Sequence, residues 1–509
     1  MMSLSEHCMS LLAIAPTREA VQFEGRWYSW GEMRRLATEL WKALATSGIG
    51  SDAPITVVAR NRPCALAAIV ALLAEGRTLR MVYAFQAPAA IARSLERLDS
   101  PAAVMVPEDF SPEVRAVLAA RRMAGIAMGE MSAQLLAGFE QGVSHGRKAA
   151  RQEACVEVLT SGTTGAPKQF PLPQRVIREF IESQGPIGEL SDAGCEPPLL
   201  LTFPIGNIAG IFFAATSMLR GKRTILLDRF SLEAWRSHVT AYRPAVIGAP
   251  TAAISMILEA GIPREDLASL EFLLTGAAPL DPTVHRAFEA RYRVPILLSY
   301  GATEFGGPVA AMTPELHAEF GAEKLGSVGR LLPGVRLRVI DAETGQPLGC
   351  GHEGLLEVVS PRIGPEWIRT SDIGLIDEDG FLWHRGRADG AIMRGGFKVL
   401  PETIERALLQ HPAVSAAAVV GVSDERLQQV PAAAVRLKSG IAAPTFEELA
   451  QHMRRHVLAT HIPAHWTFVD TLPVNHAFKI DRLGLKQMFE ARLRSVDGRP
   501  LRKTENGQT

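Results

Sequence analysis

Short apolar runs alternate with segments of helix length through the first three quarters of the chain. Ile55–Ala59 is an apolar run of strand length, and Pro63–Ala74 is an apolar helix that ends just before Gly76. Because strands that alternate with helices form parallel sheets covered on both faces, this pattern predicts an α/β fold. Further strands are predicted at Ala102–Val106, Thr224–Leu227, Ala245–Gly248 and Phe272–Leu274.

The pattern changes from Ser327 onward. Strands predicted at Val335–Ile340, Leu355–Ser360 and Phe381–Trp383 are separated by turn residues with little helix between them, which indicates an antiparallel, β-barrel-like subdomain. After Asp389 a mixed α+β segment follows. Its predicted elements are a helix at Pro401–Gln410, strands at Ala416–Val420 and Ala432–Leu437, a helix at Thr445–Leu458, and then a loop and a last helix.

These patterns predict two domains in a chain of 509 residues. Residues 1–386 would form a large body of two parallel-type α/β sheets plus the antiparallel subdomain. Residues 387–509 would form a small, mobile lid. A division into more than one domain is expected, because a chain of this length exceeds one ordinary domain.

The overall charge and the cysteines exclude some classes of function. Lys plus Arg and Asp plus Glu both number 54, so no global basic field is present to hold nucleic acid. The 5 cysteines are dispersed without a C-x-x-C pair, which argues against a thiol zinc site and fits a reducing compartment. With no basic region before Leu11, no signal peptide is expected, and we expect a cytoplasmic protein.

One uncharged segment has the length of a membrane-spanning helix. It runs from Leu199 to Leu219, but Pro204, Gly206 and Gly210 interrupt it. We therefore predict a strand, a loop and a buried helix here, and no membrane span.

The segment Val156–Lys168, with the sequence VEVLTSGTTGAPK, has the composition of a phosphate-binding loop. Glycines let backbone N–H groups approach an anion, hydroxyls donate further hydrogen bonds, and a lysine supplies positive charge. It is not a Walker loop, because no Gly-Lys-Ser/Thr ends it and Pro167 blocks a following helix. The alternative is an ordinary turn between strands. The residues concerned are Thr160, Ser161, Gly162, Thr163, Thr164, Gly165 and Lys168.

The sequence TSGTTGAPK resembles the signature loop of the adenylate-forming enzymes, which include acyl-CoA synthetases, adenylation domains of peptide synthetases and firefly-type luciferases. The resemblance implies that this loop covers the β- and γ-phosphates of ATP. Further segments resemble the motifs of this family, in the family's order, from about Ala20 to Arg482.

Two of these segments imply a nucleotide site. Tyr300–Glu304 (YGATE) resembles Y-G-x-T-E, in which the tyrosine packs on adenine, Thr303 would meet the α-phosphate and Glu304 would hold Mg²⁺. Leu274–Leu280 (LTGAAPL) resembles the turn that borders adenine. The resemblance thus adds Gly276, Ala277, Ala278, Ser299, Tyr300 and Gly301 to the residues expected to bind ATP or AMP.

Two more segments imply contacts with the ribose and a hinge. Thr370-Ser371-Asp372 resembles T-G-D, whose aspartate accepts hydrogen bonds from both ribose hydroxyls. Gly386–Asp389 (GRAD) resembles G-R-x-D, so Arg387 would meet ribose or phosphate and Asp389 would be the hinge.

The small domain would supply the remaining groups. Leu472–Arg482 resembles the segment of the catalytic lysine, which makes Lys479 the candidate, although Phe478 stands where the family has glycine. Gly395–Val399 (GGFKV) resembles the loop that opens the small domain, so Gly395, Gly396 and Lys398 would line the CoA tunnel. For the acyl pocket the candidates are Asn207, where many relatives carry histidine, Gly301 and Ala302.

Two other patterns favour ordinary structure. Gly349–Gly354 matches G-x-G-x-x-G, but a turn precedes it and a strand follows, so a glycine-rich hairpin is the better prediction. His452 and His456 have the spacing of zinc ligands on a helix, but no H-E-x-x-H is present and solvated histidines are favoured.

The resemblance implies an ATP-dependent carboxylate–CoA ligase that uses Mg²⁺ and coenzyme A. Pro204 follows Phe203, where peptide-synthetase domains carry an aspartate, so an amino acid substrate is disfavoured. The uncharged Phe203–Phe213 segment favours an apolar acyl or aryl acid, as in fatty or aromatic acid metabolism. Two alternatives stay open: an acyl-AMP ligase that loads a separate carrier protein, and a non-catalytic nucleotide-binding relative. A homodimer is also left open.

Overall fold

A computed structural model describes residues 3–143, 153–160, 168–183, 196–206, 210–212, 219–276, 278–394, 397–424, 426–475 and 479–495. Its α-helices are α1 (Leu4–Leu12), α2 (Trp30–Thr46), α3 (Pro63–Ala74), α4 (Pro88–Arg97), α5 (Pro112–Ala120), α6 (Gln174–Ser183), α7 (Leu232–Tyr242), α8 (Thr251–Glu259), α9 (Pro282–Tyr292), α10 (Pro314–Phe320), α11 (Pro401–Leu409), α12 (Phe446–Met453) and α13 (Arg482–Ser495).

The β-strands, in chain order, are β1 (Glu19–Phe23), β2 (Arg26–Ser29), β3 (Ile55–Ala59), β4 (Leu79–Tyr83), β5 (Ala102–Met105), β6 (Ala124–Met128), β7 (Ala133–Leu135), β8 (Cys155–Thr160), β9 (Lys168–Pro173), β10 (Leu199–Leu201), β11 (Thr224–Leu226), β12 (Val246–Gly248), β13 (Phe272–Gly276), β14 (Ile296–Ala302), β15 (Gly307–Ala311), β16 (Arg330–Leu331), β17 (Arg336–Ile340), β18 (Gly354–Val359), β19 (Ile368–Ile376), β20 (Leu382–Arg387), β21 (Ile392–Arg394), β22 (Phe397–Val399), β23 (Val414–Asp424), β24 (Gln428–Leu437) and β25 (His465–Phe468).

The predicted α/β architecture is confirmed by two parallel-type sheets. The first has the strand order β7-β6-β5-β3-β4-β8-β9, with a parallel centre and antiparallel edges. The second has the order β12-β13-β14-β15-β16 and is parallel from β12 to β14. Every residue of α3 is buried, which explains why this segment is apolar on all sides.

A third sheet of the body was not predicted. Its order is β10-β11-β1-β2, in which β1 pairs in parallel with β11 and antiparallel with β2. Strands were predicted for the segments of β10 and β11, but β1 and β2 lie much earlier in the chain, and no local pattern indicates that these strands pair.

The second half of the chain follows the prediction in outline, but strand β19, which carries Asp372, was not predicted. Strands β17 to β20 form an antiparallel sheet, and the turn Gly349–Glu353 precedes β18, as expected for a glycine-rich hairpin. In the C-terminal unit the sheet order is β22-β21-β24-β23. However, α12 ends at Met453 instead of Leu458, and β25, which pairs in parallel with β24, lies in the predicted loop.

The uncharged segment begins with strand β10 at Leu199–Leu201, as predicted. Residues 210–212 and 219 are helical, and Ile211, Phe212 and Leu219 are buried in the core of the body. Among the described residues, no helix combines the length and the apolar character that crossing a membrane requires.

Candidate active site

The carboxylate of Asp372 lies where the second parallel sheet meets the antiparallel sheet. Tyr300, near the end of β14, donates a hydrogen bond of 2.6 Å from its hydroxyl to Oδ2 of Asp372 on β19. On the other oxygen, Nε2 of His384 lies 3.6 Å from Oδ1, and Nε of Arg387 lies 3.8 Å from it. Burial alone would raise the pKa of Asp372, but interactions with His384 and Tyr300, together with Arg387, lower it below its usual value.

Arg387 joins this carboxylate to the predicted hinge residue. Its guanidinium donates hydrogen bonds of 3.0 and 2.9 Å to the two carboxylate oxygens of Asp389, and one of 2.6 Å to the Ser371 hydroxyl. The pKa of Arg387 is raised, chiefly by the Asp389 hydrogen bonds and further by the charges of Asp372 and Glu304. Glu304 lies on a short 3-10 turn, Thr303–Phe305, directly after β14. Three acidic groups thus surround one arginine at the edge of the sheet.

Lys479, in the C-terminal unit, interacts electrostatically with this group. Its backbone N–H donates a 3.1 Å hydrogen bond to Oδ1 of Asn475, and its carbonyl accepts one of 2.7 Å from the Asn475 N–H. The residue is accessible to solvent, yet loss of hydration next to the protein lowers the pKa of its ammonium group. The charge of Arg387 lowers it further, while Asp372 acts in the opposite direction. The ammonium group therefore lies within electrostatic reach of both residues.

Arg482 fixes the segment that carries Lys479. Its guanidinium donates hydrogen bonds of 2.8 Å to Glu405 and 3.1 Å to Glu402 on α11, and one of 2.6 Å to the Val419 carbonyl. A carboxylate oxygen of Glu402 lies 2.7 Å from where a Cβ on Gly386 would stand. Because Gly386 also has a φ of +144°, a side chain at this position would disturb the contact between the two parts of the chain.

Glycines keep the backbones close at the end of β14. A Cβ on Gly276 would lie 2.7 Å from the Ser299 hydroxyl, and a Cβ on Gly301 would lie 2.6 Å from the Gly307 carbonyl oxygen. The hydroxyl of Thr275 donates a 2.8 Å hydrogen bond to the Ala249 carbonyl, which ties β13 to the strand end beside it. The predicted adenine-bordering residues Gly276 and Ser299 are thus brought next to Tyr300, and the Ala278 carbonyl accepts a 3.2 Å hydrogen bond from the Thr251 hydroxyl.

Part of the predicted site lies outside the described residues. This applies to Ser161, Gly162, Thr163, Thr164, Gly165, Asn207, Ala277, Gly395 and Gly396. The backbones of Thr160 and Lys168 pair with each other where β8 ends and β9 begins, so the predicted phosphate loop connects two antiparallel strands. Lys398 lies on β22. In the described parts of the chain, no group of three or more His, Cys, Asp or Glu residues has the geometry of a metal site.

The sequence prediction missed an open cavity of about 230 Å³ at the ends of β3 and β4. Two guanidiniums flank the Phe85 ring, with that of Arg60 5.8 Å and that of Arg229 5.2 Å from its centroid. Arg60 also forms a 2.6 Å ion pair with Asp109. No sequence motif indicates these residues, because they are far apart in the chain. We call this the arginine pocket; it is lined by Arg60, Ala84, Phe85, Gln86, Ala87 and Arg229.

The sequence matches two family descriptions that together span most of the chain. Residues 12–365 match "AMP-binding enzyme", and residues 403–479 match "AMP-binding enzyme C-terminal domain". The chain therefore belongs to the adenylate-forming (AMP-binding) enzyme superfamily and is of the acyl-CoA synthetase type.

The curated relatives include ligases named for two kinds of acceptor. The chain is 27% identical over 506 residues to the fatty acid–[acyl-carrier-protein] ligase ScoC of Streptomyces coeruleorubidus, covering 93% of this chain and 94% of that protein. It is 30% identical over 350 residues to a 2-succinylbenzoate–CoA ligase of Geobacillus sp. (strain WCH70), covering 65% of this chain and 68% of that protein.

Solved structures share the fold over nearly the whole length. ATP-bound MatB from Rhodopseudomonas palustris superposes with a TM-score of 0.78 at 21% identity, covering 96% of this chain and 99% of that one. The amide bond synthetase McbA from Marinactinospora thermotolerans has a TM-score of 0.76 at 26% identity, with coverage of 96% and 99%. These neighbours have a large N-terminal domain and a small C-terminal domain, as predicted.

Proposed function

We propose that the chain is an ATP-dependent carboxylate–CoA ligase that first forms an acyl-adenylate and then transfers the acyl group to the thiol of CoA. The observation that carries the proposal is that Asp372 accepts a 2.6 Å hydrogen bond from Tyr300 and lies 3.8 Å from Arg387. The charges of Asp372 and Arg387 also act on Lys479 of the C-terminal unit. A mobile cation beside a buried ribose-type acceptor and an arginine is the arrangement that attack of a carboxylate on a nucleotide phosphate requires.

In the first half-reaction, a carboxylate oxygen of the acid attacks the α-phosphorus of ATP, and the bond to the leaving pyrophosphate breaks. Lys479 would neutralise charge on the carboxylate and α-phosphate oxygens, and Thr303 would donate a hydrogen bond to the α-phosphate. Asp372 would accept hydrogen bonds from the ribose, while Arg387 orients ribose or phosphate. The loop from Thr160 to Lys168 would hold the pyrophosphate by its backbone N–H groups.

Mg²⁺ fits the chemistry of the residues present. Glu304 supplies a hard carboxylate oxygen beside the nucleotide site, which is the kind of ligand that Mg²⁺ takes together with phosphate oxygens. When bound, the ion would supply charge neutralisation to the triphosphate. Glu304 would hold it, and the remaining steps belong to the protein side chains already named.

In the second half-reaction, the thiol attacks the carbonyl of the adenylate and AMP leaves. We propose that the body ends at residue 386, that the lid spans residues 387–509, and that the lid rotates about Asp389 between the half-reactions. Gly395, Gly396 and Lys398 would then line the path of the thiol arm.

The arginine pocket favours CoA as the acceptor. Its two guanidiniums suit the phosphates of the nucleotide part of CoA, a part that the arm of a carrier protein lacks. An apolar acyl or aryl acid remains the proposed substrate class.

The test is a mass-spectrometric screen of acids with ATP and CoA, run beside ATP–pyrophosphate exchange for each acid. We expect exchange and a CoA thioester with at least one apolar acid. Exchange without thioester, for every acid that is activated, would reject CoA as the acceptor. No exchange with any acid would favour the non-catalytic relative.

A second acceptor is supported by the match to ScoC, which spans 93% of this chain. In this alternative the phosphopantetheine thiol of a separate carrier protein attacks the carbonyl of the acyl-adenylate, so that the acyl group is transferred and AMP leaves. Incubation of the pre-formed adenylate with free CoA or with a phosphopantetheinylated carrier protein distinguishes the two, since only the true acceptor is acylated at a useful rate.

A further inference from the structure

His384 stands beside the Asp372 carboxylate, although no motif in the sequence indicates it. Its Nε2 lies 3.6 Å from Oδ1 of Asp372, and its ring centroid lies 5.6 Å from that of Tyr300. Tyr300 in turn donates its hydroxyl to Oδ2 of the same carboxylate. His384 and Tyr300 thus hold the two sides of one aspartate while contacting each other.

The carboxylate keeps acceptor capacity in this arrangement. A carboxylate has about four lone-pair positions, and Tyr300 uses one of those on Oδ2. The nitrogens of His384 and Arg387 lie beyond hydrogen-bond distance of Oδ1, at 3.6 and 3.8 Å. They attract this oxygen and limit its rotation without occupying it, so both oxygens can still accept a hydroxyl.

The position of His384 in the fold explains why it can orient Asp372. It lies on β20, which pairs with β19, the strand of Asp372, and Gly374 is its partner across the ladder. A side chain at Gly374 would clash with the Trp383 carbonyl oxygen at 2.7 Å, so the glycine lets β19 and β20 pair closely beside His384. The imidazole side chain of His384 is 19% exposed and that of Asp372 is 12% exposed, so neither group is free to turn into solvent.

We propose that His384 is a positioning residue of the nucleotide site, which holds Asp372 in the orientation that accepts both ribose hydroxyls and so distinguishes ribonucleotides from deoxyribonucleotides. The inference rests on the proposed use of ATP. It concerns recognition of the sugar, and it requires neither a known acid nor a known acceptor.

The test is direct calorimetric binding of ATP, 2′-deoxyATP and 3′-deoxyATP to the full-length wild-type protein and to two variants. His384→Phe keeps an aromatic ring beside Tyr300 and removes the interaction with Asp372, whereas His384→Gln keeps a nitrogen donor. We expect the preference of the wild type for ATP over either deoxy analogue to fall about tenfold in His384→Phe. In His384→Gln it should stay within about threefold of the wild-type preference.

His352→Gln is the matched control, because His352 lies exposed in the turn before β18. It should bind all three nucleotides as the wild type does. A His384→Phe protein that melts like the wild type and keeps the full preference for ATP would overturn the inference. If this variant does not fold, an unchanged preference in His384→Leu, which also lacks a nitrogen donor, does so. If the wild type does not bind ATP, both the proposed function and the inference fail. If the wild type prefers ATP and His384→Phe keeps that preference, only the inference fails.

Discussion

The hydroxyl of Tyr300 donates a 2.6 Å hydrogen bond to Oδ2 of Asp372, although the two residues belong to different sheets. The bond is buried, and it joins the end of parallel-type strand β14 to antiparallel strand β19. The carboxylate of Asp372 is therefore held by a side chain of the predicted Y-G-x-T-E segment. Because burial and the neighbouring carboxylate both raise the pKa of Tyr300, its hydroxyl stays protonated and acts as a donor.

Tyr300→Phe removes this donor and leaves the ring in place. We expect the free energy of unfolding to fall by about 1–2 kcal/mol, since a buried carboxylate loses a hydrogen bond. We also expect KM for ATP to rise about fivefold with a smaller change in kcat, measured by pyrophosphate exchange. Tyr242→Phe, at a partly buried position at the end of α7, is the control. An unchanged KM for ATP in Tyr300→Phe would show that the hydroxyl does not support the nucleotide site.

Lys479→Ala should separate the two half-reactions. Adenylate formation, measured by pyrophosphate exchange, is expected to fall about 100-fold or more, because the cation that neutralises the reacting oxygens is lost. Transfer from pre-formed acyl-adenylate to CoA should change little. Lys486→Ala, a lysine on α13 that lies 3.9 Å from Glu490, should leave both steps intact. Equal losses in the two steps would mean that Lys479 does not act in adenylation alone.

The charge of Lys479 also predicts a pH dependence. Loss of hydration and Arg387 lower the pKa of its ammonium group below the usual 10.5, so this group loses its charge at a lower pH than a free lysine. Adenylate formation should therefore decline on the alkaline side as pH rises through this lowered pKa, while transfer from pre-formed adenylate should not follow the same curve. If both rates decline over the same alkaline pH range, the decline belongs to a group other than Lys479.

Local patterns were sufficient for elements that bury their own apolar residues. The bounds of β3 and α3 were predicted to the residue, since ITVVA and the apolar helix after Pro63 carry their own signals. Strand β25 was missed because HWTF has no distinct apolar pattern, and it forms by pairing with β24, which is remote in sequence. Helix α12 ends early for a related reason: its last predicted residue, Leu458, is 72% exposed and offers no core contact to extend the helix.

The residues of the candidate site likewise differ in whether a local sequence pattern indicates them. Tyr300, Asp372, Arg387 and Lys479 lie in segments that resemble family motifs, and the fold brings them together. His384 lies in no such segment, and only the pairing of β19 with β20 places it beside Asp372. The arginine pocket likewise depends on the ends of β3 and β4 meeting the segment after β11, which no single stretch of sequence encodes.

Glu289 gives the body a stability that depends on pH. Burial would raise the pKa of Glu289, but hydrogen bonds from His285 at 3.0 Å, His317 at 2.9 Å and the Ile296 N–H lower it from 4.5 to about 2. A carboxyl with a depressed pKa contributes stability that is present above its unfolded value and is lost as pH falls through its folded value. The contribution should therefore be complete above pH 4.5 and decline between pH 4.5 and about 2.

Glu289→Gln tests this dependence by denaturant unfolding between pH 7 and pH 3. At neutral pH the variant should be less stable than the wild type by on the order of 2 kcal/mol, and the difference should shrink below pH 4.5. Glu319→Gln, at an exposed position of α10, is the matched control and should show no such trend. A constant difference across the range would mean that Glu289 contributes through packing instead of through its charge.

Arg229→Ala tests whether the arginine pocket receives the nucleotide part of CoA. Arg229 is exposed, and its guanidinium lies 5.2 Å from the buried Phe85 ring, so its removal should cost little stability. Because one guanidinium that pairs with a phosphate is lost, KM for CoA should rise about tenfold, while pyrophosphate exchange stays at the wild-type rate. Arg93→Ala, in which an exposed arginine on α4 is replaced, should change neither quantity.

Pantetheine, which has the thiol arm without the nucleotide, should react equally well with the wild type and Arg229→Ala. If KM for CoA is unchanged in Arg229→Ala, the pocket does not bind the nucleotide of the acceptor, and the argument for CoA over a carrier protein loses its structural support.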